Sequence, residues 1–449
     1  MNGGNTILVH NGLVCNEDET FRGYLLIRGD RIEKVGRGDF AGGRCDRVID
    51  AGGGLIMPGV IDDQVHFREP GLTPKGDIRS ESRAAVAGGV TSFMDMPNTV
   101  PPAVTLDLLE EKYARAAEVS SANYSFYLGA TNGNMDEIAR VDPEKICGIK
   151  VFMGSSTGNM LVDDQSALAA IFESSPVIVT VHCEEESVVR ANMEAALREY
   201  GGDVPVAMHP VIRNAEACYR SSAKAVELAD RYGARLHILH LSTAKELDLF
   251  DRRPLAEKRI TAEVCVHHLW FTGEDYPAKG NLIKWNPAIK SPSDRDALRE
   301  GVRDDRIDVV ATDHAPHTLE EKMRPYLKAP SGAPMVQHSL TAMLEMADRG
   351  IFTVGQVCRK MCHAPAELFG IERRGYLREG YYADVAVVEA GEPWEVTQGN
   401  ILYKCCWSPL GGERFRWRVT HTVVNGQVAW ADGRIDENVR GRRLAFSHR

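Results

Sequence analysis

The sequence predicts an α/β protein, a (β/α)8 barrel of the TIM type carrying a small β-sandwich built from both chain termini. Three observations predict it. Eight short apolar runs recur through the middle of the chain, most of them separated by stretches with helical spacing. Residues able to bind a metal stand at or just past the C-terminal ends of those runs, where a barrel of this kind assembles its site. Both ends of the chain read as strands and turns, with no helical period.

At the N-terminus, TILVHNGLVC (6–15), YLLIRGDRIEKVG (24–36) and RVIDAGGGLIMPG (47–59) are β-prone segments joined by Gly and Asp turns. The barrel runs are GVIDDQVHF (59–67), GVTSFMDMPN (89–98), YSFYLGAT (124–131), GIKVF (148–152), VIVTVH (177–182), RLHILHL (235–241), RITAEVCVHHL (259–269) and RIDVVATDH (306–314). They are rich in Val, Ile, Phe and Tyr, which suit strands. Between them LDLLEEKYARAAEV (106–119), NAEACYRSSAKAVELADRY (214–232) and SDRDALREGVRDD (293–305) repeat their apolar residues at the period of a helix packed on one face. Strand character returns in GYYADVAVVEA (380–390) and RVTHTVVNGQVAWADGR (418–434), whose Asn-Gly and Asp-Gly pairs favour hairpins. Neither end has strands enough to bury a core alone. Residues 1–58 and 375–449 are therefore expected to form one composite sandwich beside a barrel of residues 59–374.

A chain of 449 residues has room for both units. Its 43% hydrophobic and 26% charged content is that of a globular protein, with no long apolar run and no signal-type start, so a soluble, cytoplasmic protein with no membrane contact is expected. The 10 cysteines are scattered through predicted strands and helices without a CxxC pair, which fits reduced thiols. A net charge of −10 with no basic block argues against a nucleic-acid partner.

His66, Lys150, His182, His240, Asp313 and His317 carry the chemistry. Any one of these histidines taken alone is more often a hydrogen-bonded core residue than a ligand. Their repetition at equivalent strand ends is what favours a ligand set. Imidazoles with a carboxylate suit Zn2+. Two ions would need a bridging anion, and Lys150 can supply one only if CO2 carbamylates its amine; position alone favours a surface or salt-bridged lysine. His267 and His268 end the seventh run and are either outer donors to the site or packing residues. His314 should point away from Asp313, and His363 reads as structural. GSSTGNM (154–160) has the glycine content of a phosphate loop but lacks its Lys-Ser/Thr pair.

Taken together, PGVIDDQVHFREPG, GGVTSFMDMPNTVPP, GIKVFMGSSTGNM, VHCEEE, HILHLSTAKEL, KWNPAIK, ATDHAPHT and MCHAPAELFGI resemble, in order and spacing, the dihydroorotases of the amidohydrolase superfamily. The resemblance covers essentially the whole chain. HFREPG and MPNT are its most telling parts, because their arginine and asparagine separate dihydroorotases from the similar hydantoinases and allantoinases. The resemblance implies one or two Zn2+ ions, with carbamylated Lys150 as the bridge, His182 and His240 completing one site, and His66 and Asp313 serving the other. It implies Asp313 as the catalytic proton carrier. Arg68, Asn98 and His317 would hold the substrate carboxylate, Asn286 the pyrimidine ring, and Ser331 and Gly332 would offer the ring backbone contacts. The implied reaction is the reversible cyclisation of N-carbamoyl-L-aspartate to L-dihydroorotate in pyrimidine (UMP) biosynthesis, through a zinc-bound hydroxide, in a homodimer.

The sequence departs from the family at one ligand. Members usually open the first barrel strand with DxHxH, whereas this chain has Asp62, Gln64 and His66. A Gln carbonyl is a poorer donor to zinc than imidazole, so the site of His66 and Asp313 should be the weaker one. Asp63, on the opposite face by strand alternation, is a poor substitute. Two other functions stay open: another cyclic amidohydrolase, such as an allantoinase or hydantoinase, and a non-catalytic scaffold for aspartate transcarbamoylase, which Gln64 alone supports.

Overall fold

The computed structural model describes residues 5–154 and 160–447. Most of the GSSTGNM stretch, residues 155–159, lies outside the described residues.

The N-terminal part forms β1 (Thr6–Asn16), β2 (Glu19–Arg28), β3 (Arg31–Arg37), β4 (Arg47–Asp50) and β5 (Leu55–Pro58). The barrel strands follow: β6 (Val60–Val65), β7 (Val90–Asp95), β8 (Asn123–Phe126) with its short continuation β9 (Leu128–Gly129), β10 (Ile149–Phe152), β11 (Val179–His182), β12 (Leu236–Ile238), β13 (Ile260–Cys265) and β14 (Val309–Ala311). The chain then adds β15 (Val385–Glu395), β16 (Arg414–Val424), β17 (Gln427–Ala431) and β18 (Arg434–Ile435).

Every pairing from β6 round to β14 is parallel, in strand order. The ring closes where Val65 bridges His314, with the His66 amide donating to the His314 carbonyl at 2.7 Å. With β8 and β9 counted as one interrupted strand, this is the expected eight-stranded barrel. Its helices include Leu106–Val119, Ala215–Tyr232 and Pro292–Arg303, capped by the side chains of Thr105, Asn214 and Ser291. Parallel strands are buried on both faces. Accordingly Val60, Val179, Val181, Ile238 and Val264 pack outward under the helices, while Ile61, Ile178, Leu239 and Val309 belong to a separate inner cluster.

The remaining strands join in one nine-stranded sheet, with β5 antiparallel to β15 and Leu55 opposite Val388. The two chain ends thus share a core of Ile7, Val14, Leu25, Ile56, Val385 and Val423. The last stretch leaves the sheet and runs back along the barrel, where the Leu444 amide donates to the Tyr124 carbonyl at 2.9 Å.

Residues 24–36 fold as part of the β2–β3 hairpin, with Gly29 turning the chain at φ 60°. One expectation needs correction. The seventh barrel strand ends at Cys265, and His267 and His268 sit on the helix Val266–Trp270 instead of a strand end. Apolar periodicity could not separate the end of a buried strand from a buried helical turn.

The Asn425-Gly426 and Asp432-Gly433 turns have positive φ at both residues, as tight hairpins require. A Cβ on Gly426 would meet the Gly29 carbonyl oxygen at 1.9 Å, whereas Gly433 faces open space. Gly426→Ala should cost about 3 kcal/mol in urea unfolding, and Gly433→Ala only about 1 kcal/mol, the backbone share alone.

Candidate active site

The barrel gathers the polar residues at the C-terminal ends of its strands. Gln64 and His66 come from the end of β6, Lys150 from β10 and His182 from β11; His240 and Asp313 lie just past β12 and β14. Arg68, His240 and Asp313 have φ of 69°, 42° and 43°, a region that costs most side chains energy. Each turns the chain sharply out of a strand, which brings its side chain over the barrel mouth.

These residues line a cleft of about 240 Å3 with Asn98, Phe152, Arg213, Trp285, Asn286, Ala315, Pro330, Ser331 and Gly332. All the expected site residues therefore meet in one place except His317. That residue is buried behind the wall, with Nε2 3.1 Å from Arg68 Nη2 and 3.0 Å from the Ser331 carbonyl, and Nδ1 3.0 Å from Lys75 Nζ. The structure places it against the arginine, one layer back from the cleft.

Two pairs of donor atoms converge at the barrel mouth. His182 Nδ1 lies 3.0 Å from His240 Nε2, while His182 Nε2 donates to Glu184, which also holds Arg213. His240 Nδ1 is buried and has no hydrogen-bond partner among the described residues. In either tautomer of His240, at least one buried nitrogen lone pair faces no hydrogen. The second pair is His66 Nε2 and Asp313 Oδ1, 3.0 Å apart, with His66 Nδ1 2.7 Å from Asn98 Oδ1. If Nδ1 donates to that oxygen, Nε2 turns a lone pair towards a carboxylate oxygen, an arrangement that favours a cation between them. The donor set of three imidazoles and a carboxylate fits a borderline divalent metal.

Lys150 is 1% exposed, and burial pulls its amine down to about 8. No carboxylate lies within ion-pair distance of its Nζ among the described residues; the amine sits over the Phe152 ring, 4.7 Å from its centre. The salt-bridged reading of this lysine has no partner here. Gln64, 1% exposed, donates from Nε2 to Asp313 Oδ1 at 3.2 Å, and its Oε1 faces the Cys265 thiol at 3.8 Å. Arg68 is 4% exposed; its Nε donates to the Pro316 carbonyl at 3.0 Å. Asn286 brings to the cleft a buried Oδ1 with no partner among the described residues.

Sequence reasoning missed Arg213, Trp285 and Glu184. The last two stood inside quoted segments, KWNPAIK and VHCEEE, beside residues that drew the attention; Arg213 follows no strand end and carried no signal. It also missed a cluster deeper in the barrel. His237, Asp63 and Glu263 are fully buried, with His237 Nε2 3.4 Å from Asp63 Oδ2 and 3.8 Å from Glu263 Oε2. Their ligating atoms lie close enough together to hold a metal ion. The register of β6 against β7 shifts between Asp62 and Val65, so simple alternation does not describe where Asp63 goes. Burial works against a charged His237, but the neighbouring carboxylates of Asp63 and Glu263 outweigh it and raise its pKa to about 9. The imidazolium offsets their charge without a metal, yet at 3.4 and 3.8 Å it is not hydrogen-bonded to them, and Asp63 Oδ1, Asp63 Oδ2 and Glu263 Oε2 have no hydrogen-bond partner among the described residues.

Fold and site define a class: the chain belongs to the amidohydrolase family, whose sequence profile matches residues 55–429. Its relatives by sequence narrow the class. A dihydroorotase of Halobacterium salinarum is 35% identical over 428 residues, 94% of this chain and 96% of the relative. A dihydroorotase of Pyrococcus furiosus is 31% identical over 445 residues, 97% of this chain and 96% of the relative. Among solved structures, an L-hydantoinase (dihydropyrimidinase) from Arthrobacter aurescens superposes with a TM-score of 0.91 at 26% identity, covering 96% of this chain and 97% of that one.

The His237 cluster makes a stability prediction. Its raised pKa contributes stability that is complete below about pH 6.5, the unfolded histidine value, and is lost as pH rises through about 9. His237→Gln leaves two buried carboxylates uncompensated and should cost about 3–5 kcal/mol in urea unfolding at neutral pH. The variant should also lack the decline that the wild type shows from neutral to alkaline pH.

Proposed function

We propose that this chain is a dihydroorotase that interconverts N-carbamoyl-L-aspartate and L-dihydroorotate, the ring-closing step of pyrimidine (UMP) synthesis. The observation that carries the reading is Arg68: a buried guanidinium in the cleft wall, in the same cleft as Asn98, His66 and Asp313. Dihydroorotate has a carboxylate to meet that cation; hydantoin and allantoin have none. The names of the sequence relatives support the same reading.

Zn2+, as one or two ions, would be held by carbamylated Lys150 with His182 and His240, His66 and Asp313 being the pair open to a second ion, and would supply a Lewis acid for the ring carbonyl and acidify a water. The lowered pKa of Lys150 keeps part of its amine neutral near physiological pH, and the neutral amine is the form that adds to CO2. Arg68 and Asn98 fix the substrate carboxylate, and that contact sets the distance from the scissile amide to Asp313. Arg68 is in turn held by the Pro316 carbonyl and lies against His317, so its planar fork is pre-oriented. The Asn286 oxygen, without a partner among the described residues, accepts from a ring N–H. In ring opening, water adds its oxygen to the carbonyl carbon and the C–N bond breaks. Asp313 takes the water's proton and returns it to the departing nitrogen; in ring closure it takes the proton from the carbamoyl nitrogen. The buried Trp285 indole and the Phe152 ring keep bulk water from the reacting atoms.

A hydantoinase activity is the second reading, favoured by the 0.91 structural likeness. The 10 cysteines are all free thiols, which supports a reducing, cytoplasmic setting, and the family resemblance supports a homodimer. Among the described residues no helix is long and apolar enough to cross a membrane.

The deciding experiment is turnover of L-dihydroorotate and N-carbamoyl-L-aspartate beside hydantoin, allantoin and dihydrouracil on one preparation. Preference for the carboxylated pair is expected; faster turnover of an uncharged ring would refute the proposal. Arg68→Ala should raise KM and lower kcat, for a combined loss of about 3 kcal/mol or a hundredfold in kcat/KM. Asp313→Asn should lower kcat by about 10²–10⁴ in both directions.

A further inference from the structure

The amide of Gln64 is held at its nitrogen end. Its N–H group donates to Asp313 Oδ1, the same oxygen that faces His66 Nε2, while its carbonyl lies 3.8 Å from the Cys265 sulfur, a thiol that also has Glu263 Oε1 at 3.4 Å. Turning the amide over would set a carbonyl oxygen against the Asp313 carboxylate oxygen and an N–H group against a sulfur, exchanging one favourable contact for a repulsive one. The side chain is 1% exposed at the floor of the cleft, so its amide has few other partners to turn to. Gln64 therefore presents a hydrogen-bond donor where a zinc ligand would present a lone pair.

We propose that this chain retains a single zinc, at Lys150, His182 and His240, and that the Gln64 amide takes over from a second ion the task of orienting Asp313. The inference rests on the ligand set of the proposed function but concerns a different property, the number of ions retained. The two halves of the centre differ in what surrounds their donor atoms. His182 is braced by Glu184, itself held by Arg213, which is the support that fixes a ligating imidazole. His66 is braced by Asn98, but its partner oxygen on Asp313 already receives the Gln64 N–H. A second ion would have to share that oxygen and would find one imidazole where a pair at the end of the strand would give two. Gln64 is thus a positioning residue, acting on the reaction through Asp313.

The test counts and locates ions in the full-length protein. Elemental analysis should find about one zinc per chain in the wild type and about two in Gln64→His, the number of a two-ion centre. Reconstitution with excess Mn2+ gives a second readout, because two ions bridged by one lysine carbamate are magnetically coupled and a lone ion is not. The wild type should give only the uncoupled electron paramagnetic resonance spectrum, and Gln64→His the coupled one. Coupled manganese, or about two zinc ions, in the wild type would overturn the proposal. A folded Gln64→His protein that stays uncoupled would overturn the role given to Gln64. If that variant fails to fold, the wild-type spectrum decides alone. A one-zinc protein inactive on dihydroorotate would refute the proposed activity and leave this inference standing; a two-zinc protein that turns it over would do the reverse.

Discussion

In a closed parallel barrel one seam joins strands that are distant in sequence, because the last strand must pair with the first. Here that seam is also where the site is made. The Asp62 carboxylate accepts from the Thr312 amide at 3.2 Å and from its hydroxyl at 2.5 Å, and from the Gln64 amide at 3.3 Å. The Thr312 hydroxyl oxygen accepts from the His314 amide at 3.0 Å, and the His66 amide reaches the His314 carbonyl. A single buried carboxylate thereby fixes the registry of β6 and β14, and with it the 3.0 Å approach of His66 to Asp313. Were the seam to slip by one residue, every side chain on it would face the wrong way.

Around the seam the buried polar groups of the barrel lie in layers. At the mouth, Glu184 and Arg213 brace His182, and His317 and Pro316 brace Arg68. One level down, His237 sits between Asp63 and Glu263, whose other oxygen accepts from the His240 amide at 3.0 Å. The deeper cluster thus touches the backbone of a ligand residue, so the packing of the barrel interior helps set the geometry of the rim. The strained φ angles at Arg68, His240 and Asp313 persist because these contacts over-determine them.

Much of this was legible in the sequence, for physical reasons. Eight short Val- and Ile-rich runs separated by amphipathic stretches suit a parallel sheet buried on both faces, the metal-type residues at the run ends favoured a closed barrel, and the helix 106–119 was readable to the residue. The rim residues were legible because chemistry collects at strand ends. What escaped needed three dimensions. The place of His317 behind Arg68 depends on the path of the loop after β14, and the meeting of Asp63, His237 and Glu263 depends on a register shift inside β6. Arg213 enters the cleft from the chain just before the helix Ala215–Tyr232, remote from any strand end. The orientation of the Gln64 amide is set by Asp313 and Cys265, residues that no spacing rule connects to it.

The sheet made from both chain ends has a consequence for how the molecule comes into being. β5 is an interior strand, held between β1 and β15, yet β15 begins only at Val385, after the whole barrel. A chain emerging from the ribosome presents β1 to β5 with an unpaired hydrogen-bonding edge and an uncovered apolar face while all the barrel strands are still being made. Such an edge invites pairing with other chains. The terminal sheet is therefore the last unit to consolidate, and pairing Leu55 with Val388 carries the loop-closure cost of a contact far apart in sequence. The same junction makes truncation from either end equivalent: loss of β5 or of β15 opens one sheet, and exposes apolar surface from both ends of the chain at once.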